Sequence, residues 1–141
     1  MARNSKDASY DTSLVLKAAG LIAASAGSAT ILDMGLARFD ARAIFDITAC
    51  EVATGDEFYG LIVQGSNSAT FASGVVNLGA AMVGDSSKTG ESADTPATAR
   101  REVAFSNEVD GVLYRYVRSY TFVSGTIATG INYSAFMVQE A

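Results

Sequence analysis

Apolar and polar residues alternate with a period of two along much of the chain, the mark of strands that bury one face. In Ala41 to Ala53 one face carries Ala43, Phe45, Ile47 and Ala49, and the other carries Arg42, Asp46, Thr48 and Cys50. This pattern predicts a half-buried strand with one wet face, and it places the Cys50 thiol at the surface. Thr54-Gly55-Asp56 supplies a turn signal. Glu57 to Gln64 (EFYGLIVQ) is a short, mostly apolar run between glycines, which fits a strand better than a helix. Val75 to Val83 is another apolar stretch, broken by Gly79. Glu102 to Glu108 predicts a further strand with Val103 and Phe105 inward.

The segment Gly111 to Val138 reads as two strands joined at Ser124-Gly125-Thr126. Aromatic and β-branched residues suit such a pleated, half-buried surface. Strict alternation puts Val112, Tyr114, Tyr116, Arg118, Tyr120 and Phe122 on one face, with Leu113, Arg115, Val117, Ser119, Thr121 and Val123 on the other. The first face is nearly all apolar and is expected to be core, with tyrosine hydroxyls reaching the rim. Arg118 is its exception. A buried guanidinium needs a carboxylate and further acceptors, so Arg118 is paired, or a bulge resets the register, or this face meets another chain. Tyr and Arg together are also the side chains enriched at binding interfaces.

Residues 1–9 form a polar arm without periodicity. Tyr10 to Ala26 is ambiguous: Ala, Leu and Lys favour a helix capped by Ser9 or Asp11, while Leu14 and Leu16 around Val15 suit a strand. Residues 84–100, GDSSKTGESADTPATAR, form the clearest loop, with no aromatic or large aliphatic residue and the only proline, Pro96. Loops of that length in compact domains are usually functional or mobile. Seven or eight short strands with frequent turns and at most one short helix indicate an all-β sandwich or barrel over residues 10–141.

Composition narrows the chemistry. At 141 residues this is one domain, and fifteen acids against ten bases give a net charge of −5. Nucleic-acid and anionic-membrane binders need a cationic footprint, so neither partner is expected. There is no histidine and only one cysteine, which excludes Ser-His-Asp and Cys-His sites, His-ligated metals and multi-cysteine zinc sites. Arg3 and Lys6 precede an apolar patch and Ala24-Ser25-Ala26, but Asp7, Asp11 and Lys17 break the signal-peptide pattern. The uncharged run from Phe58 to Gly84 is too rich in polar residues and glycine for a membrane helix.

Three further chemistries are weighed against plain structural roles. Asp33, Asp40, Asp46, Glu51, Asp56 and Glu57 are available for the carboxylate pair a glycosidase needs, yet solvated surface acids are the commoner condition. Asp85, Glu91 and Asp94 could offer oxygens to calcium, but their spacing fits no EF-hand and a solvated loop is favoured. Glycines 74, 79 and 84 form no phosphate-binding pattern. No catalytic, cofactor-binding or metal-binding residue is expected, and no cofactor.

The run YRYVRSYTFVSGT, followed by Gly130 and Ser134-Ala135, resembles the C-terminal part of the small cement, or decoration, proteins of tailed-bacteriophage capsids. Ser28-Ala29-Thr30 leading into Ile31-Leu32-Asp33-Met34-Gly35 resembles that family's early strand, and Phe58 to Ser66 is similar to its mid-chain strand. The resemblance spans roughly residues 28 to 138. It implies a jelly-roll-like β-sandwich that binds the outer surface of the virion's shell without catalysing a reaction, after synthesis in the host cytoplasm. The implied partners are the major capsid protein and copies of the chain itself, as a homo-dimer or homo-trimer. Arg3, Lys6, Tyr114, Arg115, Tyr116, Arg118 and Tyr120 are the expected contact residues. A head-fibre, tail-fibre or carbohydrate-binding adhesion module is the alternative, and a β-sandwich glycosidase a more distant one.

Overall fold

A computed structural model gives the fold and describes residues 14–139. The ambiguous N-terminal stretch is extended from its first described residues: β1 (Val15–Lys17), β2 (Leu21–Ile22), β3 (Ala26–Gly27) and β4 (Leu32–Asp33) are short strands. Longer strands follow in β5 (Asp40–Cys50), β6 (Phe58–Ser66) and β7 (Val76–Gly84). A one-turn helix, α1 (Ser86–Thr89), precedes β8 (Ala99–Ser106). A small hairpin, β9 (Glu108–Val109) and β10 (Val112–Leu113), leads to β11 (Tyr116–Ser124) and β12 (Ile131–Gln139). The polar arm over residues 1–9 lies outside the described residues.

The strands form two antiparallel sheets, so the chain is an all-β sandwich. The first sheet runs β1-β12-β5-β8, with β2 also bordering β12; the second runs β3-β11-β6-β7, with β4 also bordering β11. Thus β1 and β2 together make one interrupted edge, and β3 and β4 make another. Strands β6 and β11 pair residue for residue from Phe58↔Ser124 to Ser66↔Tyr116. The connection between β11 and β12 covers residues 125–130, longer than the three-residue turn the sequence suggested. Within it Gly125 has φ +100°, and a Cβ there would overlap the Asp56 carbonyl, so only glycine fits.

The core lies between the sheets. From the first it takes Leu16, Ala43, Phe45, Ile47, Tyr133 and Met137; from the second, Tyr59, Leu61, Val63, Val83 and Val117. Val103 and Phe105 point inward as the alternation in β8 predicts. Gly79 does not break β7. It lets β8 approach, since a Cβ would sit 2.7 Å from Val103 Cγ1.

Two expectations about faces are corrected. In β5 the wet face is incomplete: Ile44 is fully buried with Phe136 and Val138 in a second apolar cluster. Near its end β5 bulges, because Ile47 pairs with Tyr133 and Ala49 with Asn132, leaving Thr48 as the extra residue. A bulge exchanges the faces beyond it. Ala49 is therefore exposed and Cys50 is turned toward the core, half-buried.

The second correction concerns β11. Its inward side is Val117, Ser119, Thr121 and Val123, while Tyr116, Arg118, Tyr120 and Phe122 point outward. The sequence expected the reverse, because the face with Tyr116, Tyr120 and Phe122 is nearly all apolar. The hydroxyl of the fully buried Tyr133 reverses it. That hydroxyl bonds the Ser119 hydroxyl at 3.1 Å and the Thr121 hydroxyl as well. Both threonine-like groups are thus satisfied inside the sandwich, across the gap between sheets.

Tyr133→Phe is expected to leave two buried hydroxyls short of a partner and to destabilise the fold by about 1–3 kcal/mol. Combining it with Ser119→Ala and Thr121→Val should recover much of the loss, since a fully apolar set strands no polar group. Urea denaturation of wild type, Tyr133→Phe and the triple variant checks this. An unchanged midpoint for Tyr133→Phe contradicts it.

Candidate binding surface

The seven expected contact residues divide into four groups. Arg3 and Lys6 lie outside the described residues. Tyr114 sits between β10 and β11, its Cβ packed against Gly65 at the end of the sandwich. There it lines an open cleft of about 390 Å³ with Asn67, Ser68, Ser73, Gly74, Val75 and Val76. Arg115 grips Asp33 with two parallel bonds, Nε to Oδ1 at 2.8 Å and Nη2 to Oδ2 at 2.9 Å. That guanidinium, helped by the Gly35 N–H, holds the Asp33 carboxyl down to about 2. Only Tyr116, Arg118 and Tyr120 share one surface, the outer face of the second sheet.

The register of β6 against its neighbours completes that surface. Arg118 pairs with Gln64, Tyr120 with Ile62, Phe122 with Gly60 and Ser124 with Phe58. On the other side Gly60 pairs with Met82 and Ile62 with Ala80. Gly60 forms a floor on which Phe122, Ile62 and Met82 converge; a Cβ there would meet all three within 4 Å. Phe58 and Phe122 meet edge to face at 6.1 Å. Met82 and Phe122 remain 47% and 44% exposed, so this apolar patch faces solvent.

Arg118 faces outward in an unbulged register, and its side-chain partner is an amide, not a carboxylate. Its Nε donates to Gln64 Oε1 at 3.0 Å, and Gln64 Nε2 donates to Asn77 Oδ1 at 3.2 Å. The guanidinium lies 4.4 Å from the Phe71 ring centroid and 5.7 Å from that of Tyr120. Its close fit against Gly27 leaves no room for a Cβ there, which would stand 2.7 Å from Cζ. No ion pair to Arg118 is present among the described residues.

The acidic candidates are engaged elsewhere. Asp40 faces Arg38, and Asp46 faces Arg100 at 2.7 Å. Glu51 accepts from the backbone N–H groups of Ala128, Thr129 and Gly130, and Asp56 accepts from Thr126 N, Thr126 Oγ1 and Thr54 Oγ1. Glu57 is fully buried. Burial alone raises its carboxyl, but N–H donors from Thr54 and Asp56 more than offset this and hold it below the usual range. Glu51 and Asp56 thus lock the 51–57 connection to the 125–130 connection, while Glu57 braces the former from within.

The 84–100 loop is built rather than open. Asp85 caps α1 through Ser87 N at 2.9 Å, and Gly90 ends the helix with φ +78°. Thr95 exchanges two hydrogen bonds with Gly84. Asp94 accepts from Ser86 N, while Glu91 lies 3.9 Å from Arg101. Among the described residues no three acidic, His or Cys groups are placed to hold a metal ion. No helix among them is long and apolar enough to cross a membrane. No protein-family model matches the chain, and none of the curated proteins compared with it matches either.

Sequence reasoning missed Phe58, Ile62, Phe71 and Met82 as surface partners of the Tyr/Arg strand. One signal was present: Phe58 to Val63 is apolar on both faces, unlike the alternating strands around it. A strand apolar on both faces is covered on both.

Two outcomes follow from the titrating groups. Carboxyls held low contribute stability that is complete above their ordinary values and lost as pH falls through the folded values. For Asp33 that window is about pH 4 to 2, and Glu51 and Asp56 act in the same direction. Glu51→Gln is expected to lower Tm at pH 7 by a few degrees and to flatten the acid-side decline; identical Tm–pH curves contradict it. Burial, with Glu57 nearby, pushes the Cys50 thiol up to about 11 from 9.0. Iodoacetamide at pH 8 should therefore alkylate native protein roughly 100-fold more slowly than unfolded protein, and equal rates refute this.

Proposed function

We propose that the chain is a capsid cement protein, a non-enzymatic virion component that binds the outer surface of a major capsid shell and stabilises it. The observation that carries this reading is the strand order. Counting β1/β2 and β3/β4 as single positions and leaving out the separate β9–β10 hairpin, one sheet holds chain positions 1-8-3-6 and the other 2-7-4-5. This order supports a jelly-roll reading, an architecture used by viral capsid and lectin domains. Architecture alone is shared by many activities; the resemblance over residues 28 to 138 selects the virion role within it. A homo-dimer or homo-trimer is part of the same proposal, because symmetric shells offer symmetric seats.

The lectin branch of the fold keeps a second reading open, an adhesion module for carbohydrate. The observation that favours it is the cleft that Tyr114 lines together with Asn67, Ser68 and Ser73. Much of that polarity is already engaged, since Asn67 bonds Leu113 O and Arg115 N.

Purified protein titrated onto shells that lack it distinguishes the two. The cement reading expects saturable binding and shells that resist higher temperature, with no retention on a glycan array. Shells that gain neither mass nor heat resistance refute it, and micromolar glycan binding would transfer the assignment to the adhesion reading.

A further inference from the structure

The outer faces of the two sheets differ in kind. On the first sheet, β5 and β8 are laced by ion pairs, Arg42 to Glu102 at 2.9 Å and Asp46 to Arg100 at 2.7 Å. Such cross-strand pairs suit contact with water, and the apolar residues of this face, Ile44, Phe136 and Val138, are buried. On the second sheet the outward positions of β6, β7 and β11 carry no carboxylate, and Arg118 is their single charge. Asp33, at the β4 margin, is already held by Arg115.

Arg118 is also prepared for a partner that none of the described residues supplies. Its Nε is fixed by Gln64 and its Cζ lies over the Phe71 ring, yet neither Nη makes a hydrogen bond among the described residues. Phe71 reaches this position at φ +56°, a left-handed conformation uncommon outside glycine. The loop holds it there through Phe71 N to Ser68 O and Ser66 Oγ to Ser73 O. Backbone strain that places a ring on a cation is a pointer to function. A fixed arginine among aromatic and apolar anchors has the make-up of an interface hot spot.

We propose that this face, centred on Phe58, Ile62, Met82, Arg118, Tyr120 and Phe122, docks a second protein that presents an apolar segment carrying a carboxylate. The carboxylate accepts from the Arg118 terminal nitrogens while the apolar side chains cover Met82 and Phe122. Charge complementarity selects a carboxylate-bearing occupant over a two-fold contact of this face with itself. A two-fold contact of the face with itself would oppose two guanidinium groups and supply no free acid. In the cement reading, on which the identity of the partner rests, that protein is the major capsid protein.

The test uses shells lacking the chain, with co-sedimentation of wild type, Met82→Asp, Phe122→Asp, Arg118→Met and a control on the other sheet, Thr48→Asp. Wild type and Thr48→Asp should bind alike. The two Asp variants should need about 100-fold more protein for half-saturation, and Arg118→Met about 10-fold or more. Oxidation of Met82 in the wild type should slow on shells, a readout that survives any variant's failure to fold. If wild type binds and the face variants bind equally, with Met82 unprotected, the proposal is overturned while the cement reading stands. If wild type does not bind, the cement reading falls and takes the proposal with it. If the face variants bind shells but lose their oligomeric state in sedimentation, the face is a self-contact and the proposal is wrong.

Discussion

The fold depends on one hydroxyl. Tyr133 stands on β12 in the first sheet and reaches Ser119 and Thr121 on β11 in the second. A buried hydroxyl without a partner costs more than a satisfied one contributes. This bond therefore decides which side of β11 turns inward, and because strand periodicity is two, one decision fixes every residue of the strand. Sending Ser119 and Thr121 inside sends Tyr116, Arg118, Tyr120 and Phe122 outside. The candidate surface is in that sense a consequence of core polarity.

The same tyrosine anchors the edge of the first sheet. Lys17 is buried, with its Nζ 4.5 Å from the centre of the Tyr133 ring, and it donates to the carbonyls of Tyr133, Ala18 and Gly20. Burial lowers the pKa of this ammonium, and three carbonyls with an aromatic face take the place of water. The interruption between β1 and β2 is thereby capped. Phe45 packs edge to face against the same ring at 6.0 Å. Around Tyr133 the sandwich combines packing and polar closure in one place.

Alternation made the architecture legible, and hydroxyl partners made it misleading in detail. Phe45, Ile47, Val103 and Phe105 point where period-two reading puts them. The Ser119 and Thr121 side was misread because one sequence shows each residue's polarity but not the distant hydroxyl that satisfies it. Cys50 was misplaced for a different reason: the extra residue Thr48 carries no local signature, and a bulge turns everything after it. Asp110-Gly111, the turn of the β9–β10 hairpin with φ +51° and +80°, was a readable Asp-Gly signal that the longer strand pattern obscured. Of the surface, the Tyr/Arg strand was visible in sequence. Its partners on β6 and β7 required the register.

Sheet edges bear on why a face, rather than an edge, is the available contact. Unpaired edges invite foreign strands, and proteins blunt them with interruptions, bulges and charge. Here β1/β2 and β3/β4 are interrupted, and β8 presents Arg100, Arg101 and Glu102. Strand β7 is long and uncharged, but it bulges at Leu78, between the Val63–Gly79 and Gln64–Asn77 pairs, and Gly79 brings it against β8. Each edge thus has its own obstacle to strand addition. The outer face of the second sheet has no comparable protection. Its exposed Met82 and Phe122 share that face with Arg118, whose terminal nitrogens make no hydrogen bond among the described residues. A chain that guards its edges and leaves one face apolar favours docking through side chains over docking through backbone.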